Sequence, residues 1–477
     1  MGKIINMSAD FAHQETLTLH KLVFNNDISG VSKYVNRSKS TQLADQLDQH
    51  GNTPLHLAVM LGHKECVQIL LKHNHTVNVK NIYGWTPLHE SISYGDRQTI
   101  TSLFRAIRKQ NKTAIKHKKP EIRRALEAIG GNFSLEMKWD FQSWIPFVSK
   151  ILPSDICKIY RKGSRIRLDS TLEDFSDMRW IRGDVTFLVN FDTEGEPDIV
   201  LMDNRRKVYQ RMQQSSNERE ASIEDEVDVA MSSDIIDVAV KSKASVIERV
   251  SSGWFFRHEK TEKIGRFEAD FYRISGLLVQ TRKRREHLSE EDIRRNKSLR
   301  DAFKHAENTE KFLEESVDEE PERRKSLPAP EGQKMSWDQY HKSLAASNPC
   351  LGRYPREKIN QKQFDPVVGL SADFPVRLED LLPILEALGP KGKMFSKLKD
   401  FIKLRLPPGF PVRVDLPIFP AVKATVSFTQ FQFSDALSDS MFDVPRSYKE
   451  DCEWFEKTAK EKQQEMAKLN SKSGSSV

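Results

Sequence analysis

A six-residue motif that occurs twice constrains the fold more than any other feature of this sequence. Residues 51–56 are Gly-Asn-Thr-Pro-Leu-His, and residues 84–89 are Gly-Trp-Thr-Pro-Leu-His, an offset of 33 residues. Gly62 and Gly95 are separated by the same offset. Threonine is a preferred helix N-cap and proline suits the first helical position, so each copy predicts a helix start. The later glycine suits the turn that ends the helix.

The motif and its spacing are typical of the ankyrin repeat, a helical unit that cannot bury its apolar face without a neighbour. A degenerate copy around Leu19-His20 precedes the two clear ones. We expect the leucines to face inwards and the histidines to hydrogen-bond within and between repeats. Such stacks are binding surfaces rather than reaction centres. The predicted structural residues are Thr53, Pro54, Leu55, His56, Gly62, Thr86, Pro87, Leu88, His89 and Gly95.

Composition places general limits on the class of protein. The 477 residues are enough for about three domains, and the net charge of +7 does not by itself indicate nucleic-acid binding. The scattered cysteines, without a Cys-x-x-Cys pair, favour a reducing compartment and argue against structural zinc or disulfides. No apolar run approaches about 18 residues and no signal-peptide core is found, so we expect an intracellular soluble chain.

No motif for catalysis or cofactor binding is found. A Walker-type phosphate loop, a Gly-x-Gly-x-x-Gly turn and a Gly-x-Ser-x-Gly elbow are all missing. His73 and His75 flank Asn74 at the end of a repeat, where surface histidines are commoner than metal ligands. We therefore expect a protein that is not an enzyme, with no catalytic residue, no cofactor and no metal.

A strongly basic segment follows the second clear repeat. One interpretation is a solvated helix face. The other is attraction to an anionic membrane surface, where each such charge contributes on the order of 1 kcal/mol. No aromatic residues for base stacking are interleaved, so nucleic acid is not expected. The candidate membrane-surface patch comprises Arg105, Arg108, Lys109, Lys112, Lys116, Lys118 and Lys119.

From about Phe133 the pattern changes to short strands separated by turn residues. Segments 165–169, 185–189 and 199–202 predict strands, as do the alternating segments 412–418 and 422–428. Between these regions, a segment rich in Glu, Pro and Arg predicts disorder. It contains Arg323-Arg324-Lys325-Ser326, a basic-directed phosphorylation pattern, and Ser326 is therefore a candidate phosphosite.

Several segments outside the repeats resemble the ankyrin-repeat-domain-13 family. They are Met137-Lys138-Trp139-Asp140-Phe141 with Ser143-Trp144, Lys260-Thr261-Glu262-Lys263, the run from Arg282 to Asp292, and Leu406-Pro407-Pro408-Gly409-Phe410-Pro411-Val412 followed by 415–420. The resemblance covers roughly residues 15 to 450.

The resemblance implies an α+β multidomain chain: a short ankyrin-repeat α-solenoid, then a mixed α/β receptor-chaperone domain with disordered insertions. The implied divisions are a flexible N-terminus (1–14), ankyrin repeats (15–130), a β-rich first part of the receptor-chaperone region (131–312), a disordered linker (313–335), its second part (336–450) and a charged tail (451–477).

The resemblance is greatest to the C branch of the family, because the basic, Gln-rich tail lacks the acidic ubiquitin-interacting helices of other branches. It implies a chaperone or retention factor in the biogenesis of G-protein-coupled receptors. The implied location is the cytosolic face of the endoplasmic reticulum, attached peripherally, and also the cytoplasm. The alternative is an endosomal adaptor for ubiquitinated membrane cargo, as in sister branches. Residues 433–440 match only the bare spacing of a ubiquitin-interacting helix and follow a neutral, β-prone segment, so we do not expect ubiquitin binding.

Overall fold

A computed structural model divides the chain into two compact units. Unit 1 consists of Met1–Thr113, Arg219–Ala239 and Gln280–Asn360, and unit 2 of Ala114–Glu218, Val240–Val279 and Gln361–Val477. Each unit is thus assembled from three separate stretches of chain. The structure describes residues 17–37, 46–143, 154–176, 179–194, 197–212, 218–252, 258–305, 323–331, 335–344, 349–380, 406–419, 422–452 and 454–455.

Unit 1 begins with successive helix pairs, which form the predicted ankyrin stack including its degenerate first copy. They are α1 (Thr18–Phe24) and α2 (Ile28–Arg37), α3 (Pro54–Met60) and α4 (Lys64–Lys72), and α5 (Pro87–Tyr94) with the start of α6 (Arg97–Ile129). A shared core runs through the pairs, in which Val23, Leu55 and Leu70 are fully buried. Neighbouring repeats therefore bury each other's apolar faces.

Later segments of the chain complete the cores of unit 1. Helix α7 (Glu218–Ser232) contributes Val227 and Met231 to a cluster around Trp85. Helix α8 spans Glu290–His305, and α9 (Trp337–Lys342) packs on the first repeat. In α9, the ring centroids of Trp337 and Tyr340 lie 5.5 and 5.3 Å from that of Phe24. The repeats are thus covered by residues more than a hundred positions away.

Unit 2 is built on a long, mostly antiparallel sheet. Its strands, among the described residues, are β1 (Phe133–Ser143), β2 (Ser154–Lys162), β3 (Arg165–Ser176), β4 (Arg179–Asn190), β5 (Asp198–Asp203), β6 (Val208–Arg211), β7 (Ile235–Arg249), β10 (Thr261–Ile264), β11 (Phe267–Arg284), β12 (Glu357–Phe364), β13 (Val367–Ser371), β14 (Phe410–Phe419), β15 (Val422–Phe433) and β16 (Lys449–Glu450). Their order in the sheet is β10-β11-β13-β14-β15-β1-β2-β3-β4-β5-β6-β16, and β7 and β12 pair with β11. A separate ribbon joins β8 (Ser251–Ser252) and β9 (His258–Glu259).

Phenylalanine rings dominate the core of unit 2. Phe374 and Phe410 stack with centroids 3.8 Å apart, and Phe133 stacks on Phe431 at 5.1 Å. The C-terminal half of α6 packs on this core through Ile122 and Leu126. In β11, Phe267, Ala269 and Phe271 are buried in this core while Glu268 between them is exposed. Successive side chains therefore lie on opposite faces of the sheet, as strand geometry requires.

The predicted fold class, ankyrin repeats followed by a mixed sheet region, is confirmed. The predicted strands lie in β3, β4, β5, β14 and β15. The structure has two compact units, and α6, β7, β11 and β12 each contain residues of both. The six consecutive divisions expected from the sequence stay a prediction. Residues 1–14 lie outside the described residues.

Candidate protein-binding surface

The two Thr-Pro-Leu-His motifs form matching helix starts. The side-chain oxygen of Thr53 accepts from the backbone N–H of His56, and Thr53 N–H donates to His56 Nδ1 at 3.1 Å. Thr86 and His89 repeat both bonds, the second at 3.2 Å. Histidine thus occupies the position that Glu or Gln has in the usual capping box. Pro54 and Pro87 take the first helical position.

His56 also connects one repeat to the next. Its Nε2 lies 3.0 Å from the carbonyl oxygen of Trp85. Because Nδ1 accepts from Thr53, the ring is the neutral tautomer with its proton on Nε2, which donates to Trp85. Burial lowers the pKa of His56 to about 4, so the ring stays neutral at pH 7. The imidazole is therefore a structural link between repeats.

The glycines that follow each motif leave space for particular side chains. Gly62 has φ +72° and a Cβ there would lie 2.1 Å from Tyr94 Oη. Gly95 ends α5 in the left-handed conformation, with φ +90°. A Cβ at Gly95 would meet Leu327 Cδ1 at 2.6 Å. Both positions require glycine for its backbone conformation and for close contact.

A loop precedes each motif, and we name residues 46–52 the first finger and residues 79–85 the second finger. A carboxylate or amide side chain organises each finger. Asp48 Oδ1 accepts from the backbone N–H groups of His50 and Asn52, both at 2.8 Å. At the same offset of 33 residues, Asn81 Oδ1 accepts from Tyr83 and Trp85 N–H. The sequence analysis did not single out Asp48 and Asn81, although they are separated by the same 33 residues as the two motifs.

The finger tips carry exposed apolar side chains. Leu47 and Ile82 in the two fingers are 47% and 54% exposed, and Leu344, which follows α9, is 77% exposed. Backbone and side-chain bonds hold the three segments together: Ile82 N–H donates to the His50 carbonyl at 3.1 Å, and His50 Nε2 lies 2.9 Å from Ser343 Oγ. We name Leu47, Ile82 and Leu344 the finger-tip cluster. A contiguous exposed apolar patch marks a protein-binding surface, and these three side chains are the candidate for one in unit 1.

A buried ion cluster lies beside the second finger, in a cleft lined by Trp85, Cys350 and Arg353. Arg284 Nη1 lies 2.9 Å from Glu90 Oε1 and its Nη2 lies 2.6 Å from Glu286 Oε1. Burial opposes the charge of Arg284, but the two carboxylates outweigh it and raise the pKa of the guanidinium. Both carboxylates are thus paired with the same guanidinium.

Sequence reasoning missed Arg284 because it lies in a run of charged residues, which usually indicates solvent exposure. The side chains of Arg284, Glu90 and Glu286 are only 5%, 9% and 2% exposed. The guanidinium carbons of Arg282 and Arg284 each lie 5.0 Å from the Trp85 ring centroid. The cluster therefore fixes the second finger through charge and cation–π contacts.

Three of the cysteines, Cys66, Cys157 and Cys350, lie in surroundings that disfavour the thiolate, whereas Cys452 is exposed. Burial raises the pKa of Cys66 to about 11 and that of Cys157 to about 12, and it also raises the pKa of Cys350. A thiol with a raised pKa carries little thiolate at neutral pH. Within the described ranges, no three His, Cys, Asp or Glu side chains are grouped to hold a metal ion.

The seven basic residues selected from the sequence all lie on α6, in differing environments. Arg108 Nη2 pairs with Glu226 Oε1 at 3.0 Å, and Lys119 is buried and donates to the Thr193 carbonyl. Lys112 is half-buried. The remaining four, which are solvent-exposed, are Arg105, Lys109, Lys116 and Lys118. The helix thus presents only part of the selected set to solvent, and membrane attraction by it stays a prediction. No helix in the described part of the chain is long and apolar enough to span a membrane.

The candidate phosphosite Ser326 lies in residues 323–331, a segment without helix or strand that is hydrogen-bonded to the rest of unit 1. Ser326 Oγ accepts from Arg97 N–H at 2.9 Å. The predicted disorder of 313–335 does not extend to these nine residues, because acidic side chains distant in sequence bind them. Residues 306–322 and 332–334 lie outside the described residues.

The repeat geometry, with linked motifs and projecting fingers, defines the class: an ankyrin-repeat protein. A family model for ankyrin repeats (three copies) matches residues 19–114. This class binds partner proteins through the stack and its loops.

The rest of the chain assigns it to a family within this class. The ANKRD13 C-terminal model matches residues 167–473. The chain is 46% identical over 437 residues to ankyrin repeat domain-containing protein 13C of Danio rerio, covering 92% of this chain and 87% of that protein. The Homo sapiens 13C protein is also 46% identical, with 92% and 78% coverage. Ankyrin repeat domain-containing protein 13B of Homo sapiens is 30% identical, with 93% and 72% coverage. The chain therefore belongs to the ANKRD13 family.

Proposed function

We propose that the chain is a non-enzymatic chaperone or retention factor for G-protein-coupled receptors. It acts in their biogenesis and exit from the endoplasmic reticulum, attached peripherally on the cytosolic face. The higher identity to 13C relatives than to a 13B relative supports the C-branch role that the sequence resemblance implies. The observation that carries the proposal is the exposed finger-tip cluster on an ankyrin stack.

The finger-tip cluster suits the chemistry of such a client. Cytosolic loops and tails of an immature receptor combine apolar and basic side chains and lack a fixed partner. Leu344 and Ile82 offer apolar surface to them, and burial of that surface contributes roughly 25 cal/mol per Å². The loops carrying these side chains are fixed by the bonds of Asp48, Asn81 and His50, so little ordering is needed on binding.

An endosomal adaptor for ubiquitinated cargo is the second candidate, which the similarity to the 13B relative supports. The geometry of residues 433–440 favours the first. Phe433 ends strand β15, and Asp439 begins a short 3₁₀ turn rather than an α-helix. Asp439 is also bound by Lys162, at 2.8 Å, and by Arg165. A ubiquitin-interacting motif requires a free amphipathic helix.

The test is co-precipitation of a co-expressed receptor with the full chain. We expect the wild-type chain to retain the core-glycosylated, immature receptor. The double variant Ile82→Asp, Leu344→Asp places two charges on the finger-tip cluster and should retain at least fivefold less. The matched control Val229→Asp changes an equally exposed apolar residue on α7 and should retain the wild-type amount, since Val229 is 63% exposed and outside the cluster.

Two results would contradict the proposal. Equal retention by the double variant would remove the finger-tip cluster from client binding. Retention of mature receptor that disappears after enzymatic removal of ubiquitin would favour the adaptor function.

A further inference from the structure

Ion pairs hold the segment 323–331 on the rest of unit 1. Arg324 Nη2 lies 2.5 Å from Asp292 Oδ1, and Arg324 N–H donates to Asp228 Oδ1 at 2.8 Å. Arg323 Nη1 lies 3.0 Å from Asp225 Oδ1 and 3.1 Å from Asp228 Oδ2. Two consecutive arginines thus bind three carboxylates that come from α7 and α8.

The next residues attach to the junction between α5 and α6. Ser326 Oγ accepts from Arg97 N–H and donates to Asp96 Oδ1 at 3.3 Å. Leu327 N–H donates to the Gly95 carbonyl at 2.9 Å, and its side chain lies against Gly95, which has no side chain. Ser326 itself is solvent-exposed, so its hydroxyl lies at the surface of the contact.

We propose that Ser326 is phosphorylated by a basic-directed protein kinase and that the phosphate releases residues 323–328 from the rest of unit 1. The kinase supplies ATP as co-substrate. Ser326 Oγ forms a bond to the γ-phosphorus, the bond from that phosphorus to the β–γ bridging oxygen breaks, ADP leaves, and the hydroxyl proton passes to the base of the kinase. This regulation goes beyond the proposed client binding and does not depend on it.

The phosphate is incompatible with the bound geometry because of Asp96. The hydroxyl proton that Ser326 now donates to Asp96 is lost, and a group with a charge of about −1.5 to −2 takes its place. Burial acts to raise the pKa of Asp96, but hydrogen bonds from Lys64 and Thr99 outweigh it and lower the pKa, so the carboxylate is ionised at neutral pH. Like charges then face each other at contact distance.

The nearby cations do not offset this repulsion. Lys64 Nζ is already 2.7 Å from Asp96 Oδ1, and the Arg97 guanidinium binds Glu224 and Asp228. The N-terminus of α6 attracts anions but its dipole amounts to only about half a charge, and Asp96 already caps it by accepting from Thr99 N–H at 3.0 Å.

The same contacts hide the features that a basic-directed kinase recognises. Arg323 and Arg324 lie three and two positions before Ser326, and both are paired with carboxylates of unit 1. The segment must therefore open before the kinase can bind it. Phosphorylation and release are then coupled, because the open state is the one modified and the phosphate prevents its return.

The first test uses amide hydrogen exchange on the full chain before and after treatment with a purified basic-directed kinase and ATP. In the phosphorylated chain, we expect exchange at Arg324 and Leu327 to rise at least tenfold, because their N–H groups lose Asp228 and the Gly95 carbonyl. Amides of β3 and β4 in unit 2 serve as the internal control and should not change. A stoichiometrically phosphorylated chain with unchanged protection at both residues would overturn release.

The second test is the initial rate of phosphorylation at Ser326. Asp228→Asn removes a charge that holds Arg323 and Arg324 without altering the kinase motif, and we expect a rate at least threefold above wild type. Asp439→Asn removes a carboxylate that pairs with cations in unit 2 and should leave the rate unchanged. No incorporation at Ser326 in either the wild type or Asp228→Asn, or equal rates in both, would overturn the proposal.

Discussion

At the scale of single residues, His56 replaces a carboxylate or amide in the capping box and in doing so gains a second function. An imidazole is long enough to accept from Thr53 with Nδ1 and still reach the Trp85 carbonyl with Nε2. The ring thus satisfies polar groups in two repeats at once. The repeat motif alone predicts this dual use, because the histidine of an ankyrin repeat is expected to hydrogen-bond within its own repeat and to the next one.

We predict that His56 makes stability depend on pH. Its pKa is about 4 in the folded chain and near 6.5 when unfolded, so the unfolded state binds more protons between these values. Lowering the pH from 7 to 5 should therefore cost about 2 kcal/mol of unfolding free energy from this residue. Urea unfolding followed by far-ultraviolet circular dichroism at both pH values measures it.

His56→Gln is the matched control, because glutamine suits the same capping-box position and does not titrate. The pH-dependent loss should shrink by about that increment in the variant. An identical pH dependence in wild type and variant would show that His56 is not the group concerned.

Arg284 gives a second residue-scale prediction. Arg284→Met leaves Glu90 and Glu286 buried without their cation, and breaking a buried pair in this way costs about 3–5 kcal/mol. Native-state hydrogen exchange of the α5 amides measures the change. Arg377→Met, at a residue whose side chain is 80% exposed, is the control and should not alter those amides. A similar small effect for both variants would mean that the cluster contributes little.

At the scale of elements, local patterns were sufficient for the repeats and for much of the sheet. Thr-Pro at 53–54 and 86–87 determines where α3 and α5 begin, and alternation in 412–418 and 422–428 predicts β14 and β15. The binding of segment 323–331 could not be predicted. Its composition favours disorder, and the carboxylates that order it lie 32 to 230 residues away in sequence.

Two hairpins of unit 2 allow a matched test of a close backbone contact. Gly163 joins β2 to β3 and Gly265 joins β10 to β11, each in a two-residue turn with φ +59°. Alanine at Gly163 meets nothing within 4 Å, so it should cost only the left-handed conformation, about 1–2 kcal/mol. At Gly265 the new Cβ would lie 1.9 Å from the Thr429 carbonyl oxygen.

Gly265→Ala should therefore lower the unfolding free energy by about 2 kcal/mol more than Gly163→Ala, since the backbone of β15 must move. Urea unfolding of the two full-length variants provides the comparison. Equal losses would show that the contact with Thr429 is relieved without cost.

At the scale of the whole molecule, the predicted ankyrin domain should not be stable alone. In unit 1 the repeats bury Trp85 against α7 and Phe24 against Trp337 and Tyr340 of α9. We predict that a fragment ending at residue 130 exchanges its α3 and α5 amides at least tenfold faster than the full chain. Equal protection in fragment and full chain would show that the later segments are dispensable.

The interleaving of the two units has a consequence for synthesis. The ankyrin stack, which lies before Thr113, is translated early, but the residues that complete its core extend to Leu351, roughly 240 residues later. At about 5–20 residues per second, the ribosome needs about 12–50 s to supply them. During this interval the nascent repeats lack the residues that cover Trp85 and Phe24, so we expect a protein of this design to be itself a substrate for chaperones that act on unfinished chains.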